Sequence, residues 1–97
     1  VFSEFGRTPT LNIRGGRDHH PCNSAILMGS NIKPLIFGSS SDQGMAPQKF
    51  NELGQNSDAG KALRPGDIAQ TILSAISLDH PIENRIQGDK IQAILNT

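Results

Sequence analysis

The chain has 97 residues, of which 35% are hydrophobic and 4% aromatic, and nine Lys and Arg residues balance nine Asp and Glu residues. This length allows at most one domain, and the aromatic content is low for a domain that folds without a partner. Zero formal charge argues against nucleic acid or an anionic membrane surface as a partner, because the protein has no field to attract either. The longest apolar run, Ala25 to Met28, has four residues, far fewer than the roughly 20 of a membrane span, so a soluble chain is predicted. The single Cys22 cannot form an intrachain disulfide and is expected to pack as a small apolar residue.

The first residues predict the end of a strand. Val1 to Ser3 run directly into a turn at Gly6, and a strand in that position needs neighbours on both edges. We therefore expect further strands of the same sheet upstream, which would make residues 1–97 the C-terminal part of a larger fold.

A long polar loop is predicted next, over residues 6–23. It combines Gly and Pro breaks with neither helical nor alternating periodicity, and structureless loops longer than about 12 to 15 residues are usually functional or disordered. Short apolar runs at 25–28 and 35–37, each followed by Gly, predict two buried or half-buried strands. Residues 39–61 are rich in Ser, Gly, Asn and Gln and predict a long, partly ordered excursion.

One amphipathic helix is predicted over about Ile68–Leu78, because apolar residues recur along one helical face. Asp67 is a natural N-cap, and Gln70 follows three residues later, as in a capping box. Pro81 ends the helix, since the residue before a proline avoids helical geometry. In this orientation Ile72 lies in the middle of the buried face.

A second, short helix is predicted over Lys90–Leu95, where Ile91, Ile94 and Leu95 share a face. The order of strand, loop, strand, strand and helix favours an α/β sheet, in which the chemistry is carried by loops beyond the strand ends. The polar loop after Ser3 lies in such a place.

Two blocks of the polar loop carry a resemblance to a known family. The first reads Ser-Glu-Phe-Gly-Arg-Thr-Pro over residues 3–9, and the second reads Gly-Arg-Asp-His-His-Pro over residues 16–21. Three further matches are Phe-Gly at 37–38, Asp-Ile-Ala-Gln-Thr-Ile-Leu at 67–73 and Ser-Leu-Asp-His at 77–80. Together they resemble the secreted bacterial family known as domain of unknown function 1501 (DUF1501).

That family is placed in the alkaline phosphatase and sulfatase superfamily, and the resemblance implies its fold and activity. The fold would be the C-terminal portion of a three-layer α/β/α sheet structure, with residues 1–97 as a single fragment and residues 39–61 as an excursion. The activity would be metal-dependent hydrolysis of phosphate or sulfate esters by a periplasmic or secreted protein. The nucleophile and the remaining ligands would lie upstream of Val1, so the chain alone is expected to be inactive.

The resemblance also implies two metal ligands in this chain. In the superfamily an Asp-His pair ends the strand before this loop, and a later His completes a second metal position. Glu4 matches the Asp of the pair and His19 matches the later His, whereas Phe5 replaces the pair's His and cannot ligate. Carboxylate oxygen and imidazole nitrogen suit a divalent ion such as zinc, calcium, magnesium or manganese. The departure at Phe5 leaves a two-metal site, a one-metal site and no metal all open.

The other polar residues of the loop have competing roles. Asp18 either ligates the ion or, as is common beside a metal-bound imidazole, orients His19 through a hydrogen bond, and we favour the second. Arg7 either clamps an oxygen of a phosphate or sulfate group or forms a structural ion pair with an acid such as Glu4. His20 is expected to pack rather than ligate.

Two other functions are weighed against the hydrolase. The triplet Asp18-His19-His20 is the signature of another class of metal-dependent phosphoesterases, where it binds manganese and follows a buried apolar strand. The residues before Asp18 are mostly polar and do not predict such a strand. A noncatalytic module that binds an anion or a partner protein would also suit Phe5 and the missing nucleophile. The metal content of the protein would separate that module from the hydrolase.

Overall fold

The computed structural model describes residues 1–77 and 85–96. Its elements are the strands β1 (Gly6–Arg7) and β2 (His19–His20), the helix α1 (Pro65–Ala75) and a 3-10 helix (Gln92–Ile94). The radius of gyration is 15.1 Å, larger than the ~13 Å of a compact domain of about this length. The chain is therefore more open than a typical free-standing domain.

The two strands form an antiparallel hairpin inside the region predicted as a structureless loop, residues 6–23. Arg7 pairs with His19, and the backbone N–H of Thr8 extends the ladder by donating to the carbonyl of Asp18 at 3.0 Å. The prediction of a loop without secondary structure was wrong, because hydrophobic periodicity cannot detect a ladder this short and this polar.

Asn12 closes the hairpin with its side chain. Its Oδ1 accepts the backbone N–H groups of Arg14 at 2.9 Å and Gly16 at 3.0 Å, and its Nδ2 donates to Oδ1 of Asp18 at 2.9 Å. Gly15, at φ +78°, donates its N–H to the carbonyl of Asn12, in a left-handed conformation that favours glycine. A turn held by an Asn side chain in this way fixes the register of the strands that it joins.

A second loop, at Asn51, repeats this arrangement within the predicted excursion. Asn51 Oδ1 accepts the N–H groups of Leu53 and Gln55, both at 3.0 Å, and its Nδ2 lies 3.2 Å from Oε1 of Gln55. Gly54, at φ +82°, occupies the same position as the glycine of the first loop and donates to the carbonyl of Asn51. Residues 51–55 of the excursion are thus ordered by local side-chain hydrogen bonds. Next to them Phe50 exchanges two backbone hydrogen bonds with Lys61 and is buried.

The apolar runs at 25–28 and 35–37 do not form the two predicted strands. Ala25 makes a single antiparallel bridge with Phe2, while Met28 and Ile36 are largely exposed. Ile26 exchanges two backbone hydrogen bonds with Val1. Among the described residues the pairing of the first run stops there and the second run makes no β-bridge, so apolar character alone was not sufficient for strand formation.

Three of the four buried apolar residues among the described residues lie in the C-terminal segment, and the fourth is Phe50, at 7% exposure, in the excursion. Ile91, Ile94 and Leu95 are buried, with Leu95 1% exposed, which confirms that these residues share an inward face. The helix predicted over 90–95 is shorter than expected, a 3-10 helix of three residues. The carbonyl of Ile94 accepts the N–H of Lys33 at 2.7 Å, so the core joins the C-terminal segment to residues far back along the chain.

The helix α1 begins at Pro65 rather than at Ile68, with Arg64 as its N-cap. Proline favours the first helical position, because its fixed φ is helical and its missing N–H is not needed there. The prediction that Asp67 is the N-cap was therefore wrong, since Asp67 lies in the first turn. Its carboxylate accepts the N–H of Arg64 on one oxygen and the N–H of Asp89 on the other, each at 2.9 Å.

The buried face of α1 is polar. Thr71 is 0% exposed, and its hydroxyl donates to the carbonyl of Asp67 at 2.6 Å while accepting the N–H of Ile91 at 2.8 Å. Ile72 is 42% exposed and lines a groove against residues 27–32, so its predicted burial was wrong. The helix is attached to the segment before the core by hydrogen bonds rather than by its apolar stripe.

Two glycines allow this attachment. A Cβ on Gly66 would overlap the carbonyl oxygen of Gln87, and a Cβ on Gly88 would overlap the backbone of Gly66. The backbones of α1 and of residues 87–89 therefore approach each other with no side chain between them.

The predicted helix end at Leu78 and the stop at Pro81 concern residues 78–84, which lie outside the described residues; α1 itself ends at Ala75. Within the described residues, no helix has the length and apolar character needed to cross a bilayer. A short hairpin and one α-helix are common to many folds, so the alkaline-phosphatase-like architecture stays a prediction.

Candidate functional site

The front face of the hairpin, defined as the side chains of Phe5, Arg7 and His19, carries the residue types suited to chemistry. Residues paired directly across an antiparallel ladder project to the same side, and Arg7 pairs with His19. The ring of Phe5 stacks on the His19 imidazole, with centroids 3.5 Å apart and planes inclined by 22°. The guanidinium carbon of Arg7 lies 4.8 Å from the Phe5 centroid. The three side chains therefore form one continuous stack.

Arg7 is exposed and partly anchored. One of its terminal nitrogens donates to the carbonyl of Arg17 at 3.0 Å. Arg17 in turn donates to the carbonyls of Thr8, at 3.0 Å, and Pro9. No ion pair involving Arg7 is formed among residues 1–77 and 85–96. The structural role weighed against anion binding is thus not observed in the described residues, and a guanidinium with five N–H donors retains further capacity.

His19 and Glu4 are both exposed. His19 belongs to β2, whereas Glu4 lies at a bend before β1, so the alternation of the strands does not set its direction. Their donor atoms fit a divalent ion, but a protein site usually supplies three or four ligands. The described part of the chain contains no group of three or more His, Cys, Asp or Glu side chains able to hold a metal ion. An ion bound here would take its remaining ligands from elsewhere, and ligation by Glu4 and His19 stays a prediction.

Asp18 has a structural role in the hairpin. Its carboxylate accepts the Asn12 amide, and its backbone N–H donates to the Thr8 hydroxyl at 3.1 Å. The predicted hydrogen bond that orients His19 stays a prediction, while the observed contact that sets the plane of the His19 ring is the stack on Phe5.

His20 lies on the opposite side of the hairpin, the back face. Its Nδ1 accepts the N–H of Cys22 at 3.0 Å, and its Nε2 lies 2.8 Å from the carbonyl oxygen of Gly44. Because Nδ1 is an acceptor, the tautomer with hydrogen on Nε2 satisfies both contacts, and Nε2 donates to Gly44. Both ring nitrogens are engaged within the chain, which leaves neither for a metal.

Sequence reasoning missed three parts of this arrangement. Phe5 was treated as a lost ligand, although it lies two residues before Arg7, the spacing that places side chains on the same side of an extended chain. The turn held by the Asn12 side chain could have been found from the sequence. It has a Gly three residues after the Asn, and the same spacing recurs at Asn51 and Gly54. The contact from His20 to Gly44 spans 24 positions and has no local signal.

Comparison with known proteins identifies a family. The family model described as a protein of unknown function (DUF1501) matches residues 1–93. No curated protein and no solved structure gave a significant match to the chain.

Proposed function

The chain belongs to the DUF1501 family, and from this membership and the front face of the hairpin we propose that it supplies a metal-binding and anion-binding loop to a hydrolase of phosphate or sulfate esters. The hydrolase class is taken from the resemblance to the alkaline phosphatase and sulfatase superfamily. The same resemblance supports a periplasmic or secreted location. The nucleophile would come from a part of the fold outside residues 1–97.

The observation that carries this proposal is the pairing of Arg7 with His19 on one exposed face. Side chains paired in this way have Cβ atoms about 4.5 to 5.5 Å apart. A guanidinium matches two oxygens of a phosphate or sulfate group, and a neutral imidazole nitrogen binds a divalent ion. One tetrahedral ester group can therefore meet a metal near His19 and the guanidinium of Arg7 at the same time.

Each residue of the hairpin has a role in this scheme. Glu4 and His19 would hold the ion, which when bound polarises the ester oxygen and stabilises developing negative charge. Arg7 binds the nonbridging oxygens, and the Phe5 ring holds the imidazole plane of His19. The Asn12 closure keeps the strands in the register that brings these groups together.

Anion binding is tested with inorganic phosphate and sulfate on the full chain, by calorimetry or by NMR titration. Arg7→Lys keeps the charge but loses the bidentate geometry, so the affinity should fall about tenfold, the lower end of what a charge-assisted hydrogen bond contributes. Arg14→Lys is the matched control, because Arg14 is exposed at the loop tip and contributes its backbone N–H to the Asn12 closure. Equal affinities for the two variants would remove Arg7 from the site.

Metal binding is tested by the zinc content and affinity of the protein joined to the upstream part of its fold. Glu4→Gln and His19→Ala should each lower the affinity, because the first removes the negative charge of a ligand and the second removes the ligand itself. Unchanged stoichiometry and affinity in His19→Ala would remove His19 from the ligand set.

A noncatalytic anion-binding module is the second candidate. Phe5 stands where the superfamily has a ligand, and its ring is used for stacking on His19. This module predicts that phosphate binds at Arg7 in a protein that takes up no metal, whereas the hydrolase predicts both.

The Asp-His-His phosphoesterase is not favoured. His19 and His20 are adjacent in β2 and project to opposite faces of the hairpin, and both nitrogens of His20 have partners in the chain. The two imidazoles are therefore not placed to ligate the same ion.

A further inference from the structure

We propose that the turn of residues 41–46 braces the front face of the hairpin and that His20 is the positioning residue that connects the two. The turn belongs to the excursion of residues 39–61, which the proposed function leaves without a role. Its importance for binding rests on the proposed function, whereas its effect on the conformation of the hairpin does not.

The turn has a defined shape, so it can act as a support. The N–H of Ser41 donates to the carbonyl of Ala46 at 2.8 Å, and the Ser41 hydroxyl donates to the carbonyl of Gln43 at 2.6 Å while accepting the N–H of Ala46 at 3.2 Å. Gly44 and Met45 both have positive φ, at 71° and 54°. These hydrogen bonds direct the Gly44 carbonyl towards the back of the hairpin, where His20 meets it.

His20 is held at both ends of its ring. The N–H of Cys22 fixes Nδ1 from within the hairpin, and the Gly44 carbonyl fixes Nε2 from the turn. Across the ladder His20 faces Gly6, where a Cβ would overlap the carbonyl oxygen of Cys22. The partner strand therefore contributes no side chain to the back face, and the imidazole is the group that supports it.

The orientation of His20 affects the front face, because His19 precedes it in β2. A rotation of the backbone at His20 would turn the His19 side chain away from Phe5 and out of register with Arg7. The excursion thus maintains the Phe5 and His19 stack without contributing a residue to it.

Two substitutions separate the contacts of His20. In His20→Gln the side-chain amide reaches the position of Nε2 and donates to Gly44. In His20→Asn the shorter side chain accepts the N–H of Cys22, as Asn does two residues before a donor in a turn, but it does not reach Gly44. The two variants are matched in chemistry and differ in the contact that they preserve.

The readout is the ring-current displacement of the His19 and Phe5 ring protons in NMR spectra of the full chain, recorded without metal or phosphate. We expect His20→Gln to retain the displacement and His20→Asn to lose it, with faster amide exchange at Thr8, whose N–H donates to the Asp18 carbonyl across the ladder. Unchanged Thr71 and Leu95 signals verify that each variant folds. Wild-type displacement in His20→Asn, or an equal loss in both variants, would overturn the brace.

Phosphate titration of the same variants separates this inference from the proposed function. In one outcome His20→Asn loses the stack, but His20→Asn and Arg7→Lys both bind phosphate with the wild-type affinity. That result would support the brace and contradict the anion site. In the opposite outcome Arg7→Lys weakens phosphate binding, while His20→Asn keeps the stack and the wild-type phosphate affinity. That result would support the anion site and contradict the brace.

Discussion

Replacement of Asp67 by alanine removes the acceptor for two backbone N–H groups at once. Asp67 is 8% exposed, and its two carboxylate oxygens accept the N–H of Arg64, at the helix start, and the N–H of Asp89, in the segment packed against the helix. Loss of a helix cap costs about 0.5 to 2 kcal/mol, and a buried donor left without its acceptor costs about 1 to 3 kcal/mol. The Asp89 side chain is exposed and water can reach part of this region, so we expect a total loss of about 2 to 4 kcal/mol for Asp67→Ala.

Asp67→Asn tests the same geometry with nearly the same shape. An amide oxygen can accept one of the two N–H groups, but the amide nitrogen is a donor and cannot replace the second oxygen. We therefore expect about half the loss of the alanine variant.

Urea unfolding followed by far-UV circular dichroism measures both losses, since the chain has neither Trp nor Tyr to report by fluorescence. Amide exchange at Asp89 adds a local measurement and should accelerate in both variants. A loss below about 2 kcal/mol in Asp67→Ala, the range of a helix cap alone, would show that the carboxylate does not join the helix to residue 89.

Two further comparisons use matched positions. Asn12→Asp should destabilise the hairpin by roughly 1 to 3 kcal/mol, because it loses the amide donor to Asp18 and sets one carboxylate against another. Asn51→Asp should be nearly neutral, since its partner is a glutamine amide that can turn and donate; equal protection of the two loops in hydrogen exchange would contradict this reasoning. Leu95→Ala should cost about 2 to 5 kcal/mol and Ile72→Ala about 1 kcal/mol, because the first side chain is buried and the second is half-exposed. Equal unfolding midpoints for these two alanine variants would place the core elsewhere.

The sequence predicted that the helix exists but not the residue at which it begins. A repeating apolar face identifies α1, but Pro65 and Gly66 resemble a loop in sequence. In the structure the proline begins the helix, and the glycine is required by the nearby backbone of Gln87. The burial of Ile72 was predicted wrongly, because an apolar stripe identifies the hydrophobic face of a helix but not the segment that packs on the helix. Thr71 is covered instead, through two hydrogen bonds that only the tertiary structure reveals.

The candidate site was predictable in its residue types. Arg7 and His19 were selected from motifs, and the structure pairs them across the hairpin. Apolar periodicity gave no indication of β1 and β2, since their register depends on the side-chain amide of Asn12. The contact between His20 and Gly44 depends on a turn 24 residues further along the chain, and the residues around His20 give no indication of this tertiary contact.

The two asparagine-closed loops also bear on the order in which the chain folds. Each closes over a few residues, and contacts of this length form on a timescale of about 10 to 100 ns. The Asn96 amide, by contrast, donates to the carbonyl of Ser30 across 66 positions, and long-range contacts of this kind form late because closing the intervening chain costs entropy. We therefore expect both loops to form early and independently of each other. The C-terminal core would assemble last, around segments whose local shape is already set.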